Sequence, residues 1–213
     1  MRKYLAEFLG TFALVFAGTG AIIVNQQFGG VVTHVGIAIT FGLVVMSMIY
    51  AFGEISGAHL NPAVSIAFAF AGRFSVKELL PYLIVQITGA LGASFAMKFM
   101  FPDNVLLGAT LPSGSDLQSF IMEVILTFFL MLVILNVASG SKEQGMFAGI
   151  AIGSVVCLEA LFAGPVCGAS MNPARSLAPA IASNHLMHLW IYLIAPIIGA
   201  TGAVPIFKVL KKE

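Results

Sequence analysis

The chain has 213 residues, of which 59% are hydrophobic and 9% charged, with a formal net charge of +1. Soluble domains carry roughly 25% charged residues, so a water-exposed globular surface is excluded. So small a net charge points to no charged partner, and no nucleic acid is expected.

Taken in chain order, the apolar stretches predict six membrane spans at about 4–24, 35–52, 79–101, 117–138, 146–162 and 188–209. Each approaches the roughly 20 residues that cross a bilayer. The first follows Arg2-Lys3, as a secretory signal would, but it is longer than a signal core and contains Glu7, so a retained span is expected. Turn-rich segments such as Pro102-Asp103-Asn104 and Ser139-Gly140-Ser141-Lys142 separate the spans. Two further apolar segments, 61–72 and 172–182, are too short to cross. About ten helical residues give about 15 Å, and two such pieces end to end give about 30 Å, the hydrocarbon thickness. That favours two half-helices entering from opposite sides. Two helices lying flat at the interface are the alternative, although neither segment has a Lys/Arg-rich polar face. The expected fold is an all-α membrane protein with six transmembrane helices and two re-entrant half-helices.

With six spans, Arg2, Lys3, Arg73, Lys77, Lys142, Lys208, Lys211 and Lys212 all fall on the side that holds both termini. Basic residues concentrate in cytoplasmic loops, so both termini are expected in the cytoplasm. Lys98 and Arg175 are the exceptions.

The half-helix segments open within matching stretches. Gly57-Ala58-His59-Leu60-Asn61-Pro62-Ala63-Val64-Ser65 shares Gly-Ala, Asn-Pro-Ala and a final Ser with Gly168-Ala169-Ser170-Met171-Asn172-Pro173-Ala174-Arg175-Ser176. Asn is a favoured N-cap and Pro suits the first helical position. Glu7-x-x-x-Thr11-Phe12 is echoed by Glu123-x-x-x-Thr127-Phe128, and 87–93 by 197–203, always in the same order. Three spans per half is an odd number, so the second copy must run inverted. We therefore expect one domain over 1–213 built of inverted repeats at about 1–105 and 116–213, with its site at the midplane. Gly145, Gly149 and Gly153, and the pairs Gly89/Ala93 and Gly199/Ala203, are spaced for close helix packing.

An N-cap Asn accepts from backbone N–H groups one turn in, here near Val64 and Arg175. Its NH2 group then remains a donor for a water or hydroxyl oxygen. Two helix N-termini facing one another make the midplane positive, which repels cations and hydronium and leaves uncharged molecules unopposed. Arg175 directly follows the second motif, where the first half has Val64. A charged residue inside a membrane segment marks a functional site by default, with snorkelling to the outer interface as the alternative. Glu7 and Glu123 hold matching places and are expected to accept from the irregular backbone leading into each half-helix; a proton relay is the weaker reading. Glu54 falls near the cytoplasmic mouth and Glu159 next to a lining position, with no role assigned to either. His59 reads as a packing histidine and not a metal ligand. Cys157 and Cys167 suggest no disulfide framework. No metal, cofactor or enzymatic activity is expected.

These residues resemble the aquaporin superfamily, the major intrinsic proteins, across nearly the whole chain. The resemblance implies a homotetramer in the membrane lipid with one pore per subunit, and passive diffusion without proton leak. It also implies a constriction formed by Phe41, Ala160, Ala169 and Arg175, and an acceptor ladder of carbonyls from Gly57, Ala58, His59, Gly168, Ala169 and Ser170. Strict water channels of the family place His where Ala160 stands, and typical glycerol facilitators place Asp where Ser176 stands. The segments 55–59, 163–165 and 168–171 look most like the nodulin-26-like branch, whose members pass glycerol, neutral metalloid hydroxides such as arsenous and boric acids, and some water. The short termini suggest a prokaryotic member, and a plasma-membrane location is expected.

The reading is a channel for small uncharged polar solutes. A mainly water-selective channel, a proton-coupled transporter using Glu7, Glu54, Glu123 and Glu159, and a junctional protein with a closed pore remain as alternatives. Cys167, five residues before Asn172, is expected to be the site at which mercurials reduce flux, with a buried unreactive thiol as the alternative.

Overall fold

The computed structural model describes residues 1–138 and 145–211; Lys142, Lys212 and the turn at 139–142 lie outside the described residues. The described residues build α1 (Arg2–Gln27), α2 (Thr33–Ser56), α3 (Pro62–Phe70), α4 (Val76–Met100), α5 (Asp116–Ala138), α6 (Ala148–Cys167), α7 (Pro173–Ser183) and α8 (Leu189–Lys211). All but α3 and α7 are long and apolar enough to cross a membrane.

Hydropathy ends the second and fifth spans near 52 and 162, whereas α2 and α6 run on to Ser56 and Cys167. Each stops where the next residue, Gly57 or Gly168, takes a left-handed conformation with φ of 87° or 85°. Backbone N–H and C=O groups cut off from water must pair internally, so the helix continues past the most apolar stretch until a residue free of Cβ strain can end it.

The packing repeats between the halves. α1 packs on α2 and α4 as α5 packs on α6 and α8, and α3 packs on α4 as α7 packs on α8. The halves meet along α2 and α6, and each half-helix also reaches across, α3 to α8 and α7 to α4. Lys3 Nζ lies 3.0 Å from Glu78 Oε2, so α1 and α4 start at the same end of the bundle. Arg73, just past α3, sits 4.7 Å from the ring of Phe207 near the end of α8. Lys98, near the end of α4, donates to the Ala182 carbonyl at the end of α7 at 2.7 Å. The half-helices therefore point their C-termini toward opposite ends. Both are buried among the spans, which rules out flat interfacial helices. The Lys98 contact also accounts for its exception to the charge distribution, because a cation is stabilised by the unpaired carbonyls at a helix C-terminus.

Close backbone approach supplies the packing, as expected where lipid offers no hydrophobic drive. A Cβ on Gly89 would meet the Phe8 carbonyl, and one on Gly199 the Val124 carbonyl, at matching crossings. Gly153 abuts the Gly42 carbonyl and Gly149 the Tyr50 ring, but Gly145 has nothing within 4 Å among the described residues, so among these the expected run of three packing glycines is two. Gly199→Val should force α5 and α8 apart and destabilise by about 1–3 kcal/mol. Thermal unfolding in detergent would show this, and an unchanged midpoint would mean the crossing is loose.

Candidate functional site

The half-helices meet at their N-termini. Asn61 and Asn172 are extended N-caps at φ −156° and −149°, each followed by Pro at the first helical position. The Asn61 Oδ1 accepts from the Ala63 N–H at 2.9 Å, and the Asn172 Oδ1 from Ala174 at 3.0 Å and Arg175 at 3.3 Å. The first cap thus closes on Ala63 and not on Val64, whereas the second reaches both equivalent N–H groups. The two amides also hold each other's loops. Asn61 Nδ2 donates to the Met171 carbonyl at 2.7 Å, and Asn172 Nδ2 to the Leu60 carbonyl at 2.9 Å. One N–H of each NH2 group is therefore spent on this tie and one is left over.

The backbone entering each cap is unusual. Ala58 and Leu60 have φ of 45° and 51°, and Ala169 and Met171 have 42° and 52°. Left-handed non-glycine residues cost roughly 1–2 kcal/mol each, so something must hold them. A buried carboxylate does so in each half. Glu7 Oε1 accepts from His59 N–H at 2.9 Å and Ser56 Oγ at 2.8 Å, and its Oε2 from Leu60 N–H at 2.8 Å and Gln86 Nε2 at 2.9 Å. Glu123 accepts from Ser170 N–H at 2.7 Å and Met171 N–H at 2.8 Å. Pro196 occupies the place in the second half that Gln86 occupies in the first, and Cys167, whose thiol faces Glu123, the place of Ser56.

A cavity of 940 Å³ runs past these groups. It brings together Gly57, Ala58, His59, Asn61, Ala169, Ser170 and Asn172 with Phe41, Ala160 and Arg175. Glu54 lines the opposite reach with Tyr50 and Met146. A Cβ on Gly168 would run into the Thr110 side chain, so this position takes no side chain. Cys167 is fully buried, with Sγ donating to the Ala163 carbonyl at 3.5 Å, and it does not line the cavity. Burial of the thiol matches the alternative reading, an unreactive Cys167, and not a mercurial site. Glu159 is also buried off the wall, and its Oε2 has no hydrogen-bond partner among the described residues.

Arg175 is 3% exposed. Its guanidinium carbon lies 5.0 Å from the Phe41 ring centroid. Nη1 donates to the Gly108 carbonyl at 2.9 Å and to Thr110 Oγ1 at 2.8 Å, which spends both of its N–H groups and leaves Nε and Nη2. Snorkelling is excluded. Gly108 and Thr110 escaped the sequence reading because the segment between the third and fourth spans shows only turn residues. Their role depends on contacts 67 and 65 residues away. His59 packs against Phe68, Phe74 and Tyr82 at ring distances of 4.8, 4.9 and 5.3 Å, with Nδ1 3.0 Å from Ser65 Oγ.

The model of the major intrinsic protein family matches residues 1–207. Aquaporin NIP1-2 of Arabidopsis thaliana is 46% identical over 99% of this chain and 74% of its own length. Nodulin-26 of Glycine max is 43% identical over 99% of this chain and 78% of its own length. Among solved structures, the aquaglyceroporin from Plasmodium falciparum superposes with a TM-score of 0.86 at 30% identity, covering 98% of this chain and 96% of that one. Matched from end to end in sequence and in fold, the chain belongs to the major intrinsic protein family, as an integral multi-pass membrane protein.

Proposed function

We propose that the protein is a passive channel for small uncharged polar solutes, namely glycerol, neutral metalloid hydroxides such as arsenous or boric acid, and water, and that it excludes protons and ions. One observation carries this reading. Phe41, Ala160, Ala169 and Arg175, the positions that the family resemblance gives to the constriction, all line one cavity, and two of the four are alanines, which leaves Phe41 and Arg175 as the large side chains there. The free N–H groups of Arg175, Asn61 and Asn172 supply donors for hydroxyl oxygens. The carbonyls of Gly57, Ala58, His59, Ala169 and Ser170 are the acceptors that carry a hydroxyl-rich solute along the lumen. Opposed half-helix N-termini together with Arg175 oppose cations. Glu7 and Glu123 keep the strained loops in place. The similarity to an aquaglyceroporin and to nodulin-26 supports the solute class. We further place the protein as a homotetramer in the plasma membrane with both termini cytoplasmic.

Stopped-flow shrinkage of proteoliposomes tests this directly. Glycerol and arsenous acid should both enter the vesicles, and fast water flux with neither solute crossing would overturn the wide constriction. Ala160→His should cut glycerol flux by at least roughly tenfold while sparing water, since pocket walls discriminate steeply by size. Equal loss of both would show that position 160 does not set the width.

A further inference from the structure

We infer that His34 is a positioning residue that sets the width of the constriction by tying α2 to α6, an inference that rests on the wide-filter reading. Pro165 lies inside α6 and has no N–H. The Leu161 carbonyl, four residues earlier, therefore lacks the donor that a regular helix would give it, and a bare carbonyl away from water is costly. His34 Nε2 stands 2.7 Å from that oxygen, across 127 residues of chain. A carbonyl only accepts, so Nε2 carries the proton and donates. Gly164 makes room for the ring: a Cβ there would come within 2.9 Å of His34 Cε1. Gly164, Pro165, the Leu161 carbonyl and the His34 ring thus form one joint between the two helices.

Its place along the helices gives it a consequence. α2 and α6 are pinned a second time where Gly42 and Gly153 meet, since a Cβ on either would stand 2.6 Å from the carbonyl oxygen of the other. Phe41 and Ala160 both fall between the two pins. Phe41 follows His34 by two helical turns, and Ala160 directly precedes Leu161. With both pins in place the span from Phe41 to Ala160 is fixed. With the outer pin cut, the outer ends of α2 and α6 are free to part and the constriction opens. The residue touches no solute in this account and acts through the helix it holds.

The test compares parent, His34→Phe, His34→Gln and His34→Phe/Pro165→Ala in proteoliposomes, with size-exclusion profiles in detergent confirming folded protein. His34→Phe keeps a planar ring and removes the donor. It should raise the ratio of erythritol to water permeability by roughly threefold or more and lower the thermal midpoint. His34→Gln offers an amide donor and should hold the ratio near the parent value. Pro165→Ala in the His34→Phe background returns an N–H to Leu161 within α6, so the midpoint should recover while the ratio stays raised. A ratio that does not move in His34→Phe, or that returns to the parent value with Pro165→Ala, overturns the inference. A parent that passes water alone would sink the wide-filter reading separately. The joint is then still tested by whether His34→Phe gains glycerol.

Discussion

Replacing Glu7 by leucine should destabilise the protein by about 3–6 kcal/mol, because it leaves the buried N–H groups of His59 and Leu60, and the side chains of Ser56 and Gln86, without their acceptor. At this chain length that corresponds to a fall in thermal midpoint of roughly 10 °C. Glu123→Leu should cost less, since Glu123 faces the two backbone donors of Ser170 and Met171 and, where Glu7 has Ser56 and Gln86, the weak thiol donor of Cys167. The order matters more than the values. Ser56 and Gln86 are side chains able to turn to other acceptors, so the excess at Glu7 is about 1–2 kcal/mol and not double. Both variants should lose solute flux while still inserting, because left-handed loops at Ala58, Leu60, Ala169 and Met171 are held by these bonds against their own strain. Differential scanning fluorimetry of the two purified variants decides it, and a Glu123→Leu protein that melts below Glu7→Leu contradicts the four-donor account.

Arg175→Val should turn a tight channel into one that leaks cations. A guanidinium about 5 Å from a passing unit charge opposes it by about 3 kcal/mol at an effective dielectric of about 20, or roughly 10²-fold in permeability. The loss goes beyond charge. The Gly108 carbonyl and Thr110 Oγ1 lose their donor, and Phe41 loses the group that stacks on it. Glycerol flux should therefore rise or hold while proton current appears in planar bilayers under a pH gradient. Arg175→Lys keeps the charge but not the planar fork, so it should remain tight to protons and lose solute flux. If Arg175→Val is as tight as the parent, the opposed half-helix termini alone provide the barrier.

Much of this molecule was legible in its sequence because a bilayer leaves few options. Apolar stretches near 20 residues long mark the spans, and Asn-Pro-Ala twice in register marks the half-helices whatever packs around them. Boundaries were less legible. α2 and α6 overrun their hydropathy limits because backbone pairing, and not side-chain polarity, ends a helix in lipid. Spacing also overcounted: Gly145 fits the small-residue pattern but has no neighbour within 4 Å among the described residues. Cys167 sits close to Asn172 in sequence and yet its thiol is fully buried, since burial depends on the neighbours that the fold brings up.

The sequence by itself determined the class of structure, the two helix starts, the buried pair Glu7 and Glu123, and the Arg that follows the second motif, because each is a local rule about caps, length or the cost of charge in hydrocarbon. Only the tertiary structure decided that each Asn amide donates to the loop of the other, that Arg175 is clamped by Gly108 and Thr110, and that His34 answers a carbonyl orphaned by Pro165. Those bonds join residues from 65 to 127 positions apart. No local propensity encodes them, because a donor far along the chain finds its acceptor only once packing has brought the two helices together.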